Sequence, residues 1–203
     1  MSAQISKKAA ILLPGVSGKA TTDSKYTLLE EKLNQIGIKL IRFDFWNSKE
    51  ELALLSTEEI QKKVANIIKE LKSQGFQSIS AIGKSLGGAI ALTMHYDFDK
   101  IVAWAPAFSF QKESNFLKTK SKKFSNFKST SEITINRQDL AHLRCPILII
   151  HGENDEKVSL ENSENHILNI KNAKLQIIKG ADHSYTNDIW LNEVIDKTLA
   201  FLK

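Results

Sequence analysis

Gly83-Lys84-Ser85-Leu86-Gly87, followed by Gly88, is the stretch of this 203-residue sequence that decides the fold. It lies between an apolar segment typical of a buried strand, Phe76–Ile82, and a segment typical of a helix, Leu86–Tyr96. Glycines two residues either side of the serine allow a sharp strand-to-helix turn, because neighbouring backbone can pass close by. Such a turn lifts the Ser85 hydroxyl above the carboxyl end of a sheet, where open α/β sheets bind ligands. Ser85 is therefore a candidate nucleophile.

Short apolar runs alternate with amphipathic segments along most of the chain. This alternation, with nearly continuous apolar strands, predicts one α/β domain with a mostly parallel six-stranded sheet and helices on both faces. The predicted strands are Lys8–Leu13, Ile38–Phe45, Phe76–Ile82, Lys100–Trp104, Pro146–His151 and Leu175–Ile178. The predicted helices are Ser24–Ile36, a helix opened by a Ser56/Glu59 capping box and closed by Gly75, Leu86–Tyr96, Leu160–Ile170 and Asp188–Leu202.

The segment from Ala107 to Arg144 departs from the alternation, after the fourth strand. It is rich in serine and lysine, and a solvated linker would not carry so many aromatic side chains. We expect a short cap-like insertion, 107–144, that is folded over an apolar surface within the single domain 1–203. Half of the chain's ten phenylalanines lie in it: Phe108, Phe110, Phe116, Phe124 and Phe127.

A serine hydroxyl needs a base to remove its proton, and the base needs an acid to orient it. In the G-x-S-x-G fold the order along the chain is serine, acid, histidine. Three acids, Glu153, Asp155 and Glu156, follow the fifth predicted strand and qualify by charge. His183 follows the sixth strand and is the only histidine after His166. His183 is thus the candidate general base.

Taken together, the motifs GKSLGG (83–88), HGENDEKV (151–158) and GADHSY (180–185) resemble those of the α/β-hydrolase superfamily over nearly the whole chain. The chain is most similar to its small, nearly capless esterases and thioesterase-like members. The resemblance implies the strand order 2-1-3-4-5-6. It also implies that Asp155 is the triad acid, because 151–158 looks like the family pattern H-G-x-x-D-x-x-V. Glu153 would then be a structural hydrogen-bond acceptor in the same loop.

The oxyanion hole of such an enzyme needs two backbone N–H donors. One is expected from Leu86, immediately after the nucleophile. By resemblance the other comes from the turn after the first strand, where many members carry H-G-x-G and this chain has Pro14–Gly18; Val16 N–H is the candidate. Asp44, in RFDFW, resembles a family motif that is usually structural, and Trp46 could border the site. Lys84, beside the nucleophile, could simply pack against the sheet edge.

Composition narrows the remaining possibilities. The single cysteine cannot form an internal disulfide, and no apolar run predicts a membrane span, so a cytoplasmic protein is expected. The sequence has no clustered Cys/His ligands and no phosphate-binding glycine loop, so we expect no metal and no cofactor. The net charge is +5, and the excess of basic residues is concentrated in one lysine-rich segment. This segment has no base-stacking motifs, so we expect a solvated face and no nucleic-acid partner. Those lysines are Lys112, Lys118, Lys120, Lys122, Lys123 and Lys128. The sequence leaves the oligomeric state open.

The prediction is therefore a serine hydrolase that cleaves a small-molecule carboxylic ester or thioester through an acyl-Ser85 intermediate. A peptidase or amidase using the same residues is a second possibility, although such enzymes usually carry a further domain that selects peptides. A non-catalytic binding protein on this fold is a third, but it would normally have lost one of the three residues. The natural acyl chain is not readable from the sequence.

Overall fold

The computed structural model describes residues 7–16, 20–46, 51, 55–94, 98–111, 132–134, 140, 143–168 and 170–203. In chain order the strands are β1 (Lys7–Leu13), β2 (Ile38–Ile41), β3 (Phe76–Lys84), β4 (Ile101–Trp104), β5 (Ser109–Gln111), β6 (Glu132–Thr134), β7 (Ile147–Gly152) and β8 (Ala173–Ile178). The helices are α1 (Ser24–Gln35), α2 (Thr57–Ser73), α3 (Leu86–Thr93), α4 (Leu160–Ile167) and α5 (Asp188–Leu202).

Six strands form one sheet in the order β2-β1-β3-β4-β7-β8, and every neighbouring pair is parallel. This is the predicted order. Strands β4 and β7 are buried along their whole length, and β1 and β3 along most of it, as expected when helices cover both faces. β5 and β6 pair antiparallel in a separate two-stranded ribbon. This ribbon joins residues 109–111 to residues 132–134 within the segment between β4 and β7.

Two apolar clusters lie on opposite faces of the sheet. Helices α2 and α3 bury their apolar sides in one cluster, and α1 and α5 bury theirs in the other. The predicted capping box opens α2: the Ser56 hydroxyl accepts from Glu59 N–H at 3.1 Å, and Ser56 N–H donates to the Glu59 carboxylate at 2.7 Å. No helix of the described residues is long and apolar enough to cross a membrane.

The second strand is shorter than predicted, because it ends at Ile41 and does not reach Phe45. The polar side chains that follow it are used to hold the loop after β1. Arg42 donates to the carbonyl oxygens of Ala20 and Thr21 at 2.7 and 2.8 Å. Asp44 accepts from the Thr21 hydroxyl at 2.6 Å. These tertiary hydrogen bonds replace the strand pairing that local sequence favoured, and they confirm the structural role expected of Asp44.

The insertion lies largely outside the described residues. Its six lysines and three of its five phenylalanines, Phe116, Phe124 and Phe127, are outside the described residues. Phe108 is described in full, and Phe110 is described without its side chain. Phe108 is buried and stacks on His166 of α4 with ring centroids 4.2 Å apart. The start of the 107–144 segment is therefore anchored to the helical layer.

Candidate active site

Ser85 occupies the turn between β3 and α3 in a strained conformation, with φ 51° and ψ −114°. Holding a non-glycine residue there costs of the order of 1–3 kcal/mol, and the surroundings enforce it. Ser85 N–H donates to the carbonyl of Trp104 at 2.9 Å, and Ser85 C=O accepts from Ala107 N–H at 3.1 Å. The residue is only half-buried, and it directly follows the carboxyl end of β3.

The glycines around Ser85 are required by close backbone contact. A Cβ atom on Gly83 would lie 2.5 Å from the carbonyl oxygen of Gly87. One on Gly87 would overlap the carbonyl oxygen of Leu13 and lie 2.7 Å from that of Pro14. Helix α3 therefore approaches β1 more closely than any side chain allows.

We expect Gly87→Ala to destabilise the fold by about 3 kcal/mol or more, because backbone atoms of β1 cannot move aside as a flexible side chain could. Urea denaturation followed by circular dichroism measures the change. Gly15→Ala is the matched control, since its Cβ would be no nearer than 3.4 Å to other atoms. A wild-type midpoint for Gly87→Ala would contradict the close approach.

His183 and Asp155 come together although they are 28 residues apart. Nδ1 of His183 lies 2.7 Å from Oδ2 of Asp155, whose side chain is fully buried. The loops that carry them are joined by backbone: Asn154 N–H donates to Ala181 C=O at 2.9 Å. Gly152 permits this contact, because a Cβ there would overlap the carbonyl oxygen of Ala181. The HG of the HGENDEKV motif thus positions the acid beside the histidine.

Three further groups donate to the Asp155 carboxylate. These are Nε2 of His151 at 3.2 Å, Lys157 N–H at 2.9 Å and Val158 N–H at 2.8 Å. Burial acts to raise the pKa of Asp155, but these hydrogen bonds and that from His183 outweigh it and hold the pKa well below its ordinary value. The carboxylate is ionised at neutral pH.

The partners of each ring determine where its proton lies. A carboxylate only accepts, so Nδ1 of His183 carries the hydrogen and Nε2 of the neutral ring has a lone pair that can accept a hydrogen bond. His151, which is fully buried, faces Asp155 and the Val158 carbonyl through Nε2, so that nitrogen is the donor and Nδ1 accepts from the Ser163 hydroxyl at 2.7 Å. His151 is therefore a buried residue that joins Asp155, Val158 and Ser163 by hydrogen bonds.

His183 is neutral near pH 7. Burial lowers its pKa, and the charge of Lys84 acts in the same direction, against the hydrogen bond to Asp155. Its loop is held on both sides: Asp182 accepts from the N–H groups of Ser184 and Thr186 at 2.9 and 3.1 Å. Tyr185, with φ 51°, donates its hydroxyl to the Ile150 carbonyl at 3.0 Å. The imidazole is therefore held in place on a hydrogen-bonded loop.

Lys84 is the site residue whose placement sequence reasoning missed. Its side chain is buried, and Nζ lies 3.2 Å from Nε2 of His183. In the part of the chain that the structure describes, Nε2 is hydrogen-bonded to this amine and not to the Ser85 hydroxyl. The only sequence signal was the unusual lysine beside the nucleophile.

The loop after β1 covers the other side of Ser85. A Cβ on Gly15 would lie 3.4 Å from Cβ of Ser85, which places Gly15, the residue before Val16, beside the serine. Nε1 of Trp46 donates to the carbonyl of Val16 at 3.4 Å. Leu86, the other predicted oxyanion donor, is the first residue of α3. The two backbone N–H candidates thus lie on the two segments that flank the serine.

The other acids of the loop contact backbone. Glu153 accepts from Gly180 N–H at 2.8 Å, as its predicted structural role requires. The half-exposed Glu156 is 3.4 Å from His183 N–H and does not contact the ring. Among the described residues, no group of three or more His, Cys, Asp or Glu side chains could hold a metal ion.

The sheet order and the strained serine turn define an α/β-hydrolase fold. A family model described as an alpha/beta hydrolase domain matches residues 7–199, and the chain belongs to this family. No curated protein matches the chain significantly.

Solved structures resemble the chain at low sequence identity. Est1E from Butyrivibrio proteoclasticus, with ferulic acid bound, gives a TM-score of 0.78 at 19% identity over 97% of this chain and 88% of that one. A monoacylglycerol lipase from Paleococcus ferrophilus gives 0.73 at 18% identity over 96% and 93%. A dienelactone hydrolase from Anabaena variabilis ATCC 29413 gives 0.70 at 16% identity over 97% and 86%. At these identities the likeness is one of fold.

Proposed function

We propose that this protein is a serine hydrolase that cleaves a carboxylic ester or thioester through an acyl-Ser85 intermediate. The observation that carries the proposal is the buried Asp155 carboxylate, which lies 2.7 Å from Nδ1 of His183. The other ring nitrogen of His183, Nε2, faces Lys84, the residue next to Ser85. A strained serine turn beside an oriented neutral imidazole is the arrangement that nucleophilic catalysis requires.

In the proposed reaction Oγ of Ser85 attacks the acyl carbon, and Nε2 of His183 takes the hydroxyl proton. The carbonyl π electrons move to oxygen, and the resulting oxyanion accepts hydrogen bonds from the N–H groups of Leu86 and Val16. When this intermediate collapses, His183 gives its proton to the leaving alcohol or thiol. A water molecule then loses a proton to His183 and attacks the acyl-enzyme, which releases the acid and restores Ser85.

Ester chemistry is supported by the names and ligand of the structural neighbours. One neighbour is a monoacylglycerol lipase, and another has ferulic acid, a carboxylic acid, bound. Both share the fold of this chain over nearly its full length. A small-molecule acyl ester is therefore the substrate class we propose.

A p-nitrophenyl ester series from acetate to palmitate tests the proposal. We expect turnover that depends on Ser85 and that prefers certain acyl-chain lengths. We propose that residues 107–144 form a cap-like insertion that helps to set this preference. Phe108 is already buried against His166. The other four phenylalanines, if left in water, would forgo roughly 1.5–3 kcal/mol each of burial, which favours an apolar acyl-binding role. Replacing Phe116–Phe127 by a Gly/Ser linker should weaken hydrolysis of long chains more than that of acetate. An unchanged profile would leave the insertion without a role in specificity.

The same series with p-nitroanilides addresses the peptidase or amidase alternative. Turnover of anilides at rates equal to or above those of the matched esters would favour that alternative. A folded protein that turns over neither ester nor anilide would favour the non-catalytic binding protein. The intact Asp155–His183 pair argues for catalysis, since a binding protein has no need of an oriented base.

A further inference from the structure

Lys84 places a buried amine against the proposed base. The residue ends β3 with only 8% of its surface exposed, and its Nζ lies 3.2 Å from Nε2 of His183 and 5.3 Å from the centroid of the Tyr185 ring. None of the ion pairs in the described ranges includes Lys84. A buried ammonium without a carboxylate partner is costly, so this position favours the neutral amine far more than an exposed position would.

The amine and the serine need the same lone pair. Because Asp155 holds the hydrogen on Nδ1, Nε2 is the only ring nitrogen that can take the Ser85 proton. A Lys84 ammonium has three N–H donors and no acceptor, so it can meet Nε2 only by donating to that lone pair. While the ammonium donates, His183 cannot act as the base.

We propose that Lys84 is a positioning residue that occupies Nε2 of His183 for as long as the Lys84–His183 pair holds a proton. Resting on the proposed function, this inference adds a second ionisation to the activation of the site. When the pair loses its last proton to water, Lys84 becomes a neutral, weakly donating amine and Nε2 is free. His183 can then take the proton of Ser85 as the bond from Oγ to the acyl carbon forms.

The charges around the pair set the pH of this step. Burial lowers the pKa of Lys84 to about 7, and burial also lowers the pKa of His183. The charged groups facing Lys84 come from several elements: Asp155 and Asp182 favour the ammonium, and Lys25 and Lys157 oppose it. Around His183, Asp155 favours the charged ring and Lys84 and Lys157 oppose it, while Glu156 contacts its backbone N–H.

The sign follows from the two lowered pKa values. At acid pH the pair holds two protons, and at intermediate pH it shares one; in both states Nε2 is blocked. The last proton leaves as the pH rises through about 7, and above that pH both groups are neutral and the site is competent. The acid limb of log kcat/KM should therefore have a slope above one and approach two, whereas a lone histidine base gives a slope of one.

The test compares wild type with Lys84→Met from about pH 5 to 9 on p-nitrophenyl acetate, the range in which both groups titrate. Methionine keeps an apolar stem in the buried position and removes the amine. We expect a slope of one for Lys84→Met and, at pH 6, a kcat/KM several-fold above wild type. A Lys84 pKa of about 7 leaves only about a tenth of the wild-type pair deprotonated there, whereas the variant needs only His183 to lose a proton. A steep limb in Lys84→Met, or no activity at any pH, would overturn the inference.

Lys25→Met is the matched control. Lys25 reaches the same loop, with Nζ 3.3 Å from the Ser184 carbonyl, and carries the same charge without contacting Nε2. It should keep the steep limb; loss of the steep limb in this variant as well would show a general charge effect and overturn the role of the Nε2 contact.

Nitrogen-15 NMR of His183 gives a second readout that needs no substrate. Nε2 should titrate in two steps in wild type and in one step in Lys84→Met, and identical titrations would contradict the inference. The two proposals can fail separately: turnover in Ser85→Ala sinks the proposed function, whereas Ser85-dependent turnover with unaltered Lys84→Met profiles sinks only the role of Lys84.

Discussion

Ser85→Ala should reduce turnover of activated esters by at least about 10⁴-fold while the chain remains folded. The reaction needs the hydroxyl because no other group is placed to form the acyl intermediate in our account. Alanine meets the same backbone strain at φ 51° as serine does, so stability should change little. The measurement is kcat/KM on p-nitrophenyl acetate together with the thermal midpoint.

Ser184→Ala is the matched control for this loss. It removes a hydroxyl beside His183 that plays no part in the proposed reaction, and it should keep near wild-type kcat/KM. Wild-type turnover by a folded Ser85→Ala protein would rule out the acyl-Ser85 mechanism.

The second large effect is expected from Asp155→Asn, which should lower kcat by about 10⁴-fold. An asparagine amide presents N–H groups where the carboxylate accepts from four donors. His183 would then be driven to carry its hydrogen on Nε2, the nitrogen that must accept the Ser85 proton. The histidine would keep its place and lose its basic tautomer.

Glu153→Gln controls for charge loss in the same loop. Its carboxylate accepts a single backbone hydrogen bond from Gly180, and glutamine keeps an acceptor oxygen, so activity should fall only a few-fold. Steady-state kinetics at about pH 8 on both variants decides between the acids. If Glu153→Gln is the more damaging, Asp155 is not the catalytic acid.

Much of this fold could be predicted from local patterns in the sequence. The alternation of apolar strand segments with amphipathic helices predicted the parallel sheet. The order of the motifs suggested that the loops carrying Ser85, Asp155 and His183 meet. The close approach of α3 to β1 was implied by the glycines at 83 and 87. The need for glycine at 152, where the acid loop crosses the histidine loop, was not predicted.

The errors arose where long-range contacts override local preference. The second strand stops at Ile41 because Arg42 and Asp44 bind the loop after β1. The contact between Lys84 and His183 joins residues 99 apart through a flexible four-carbon stem, and no periodicity encodes it. The β5–β6 ribbon is likewise a pairing of two three-residue segments too short to give a pattern.

Labelling with a fluorophosphonate probe, followed by intact mass and peptide mapping, tests the central claim most directly. Such probes phosphonylate a serine only when a neighbouring base activates it. The account predicts one adduct per native chain, on the peptide that contains Ser85, absent from Ser85→Ala and from heat-denatured protein and much slower in Asp155→Asn. An unlabelled native protein, or an adduct on a different residue, would contradict it.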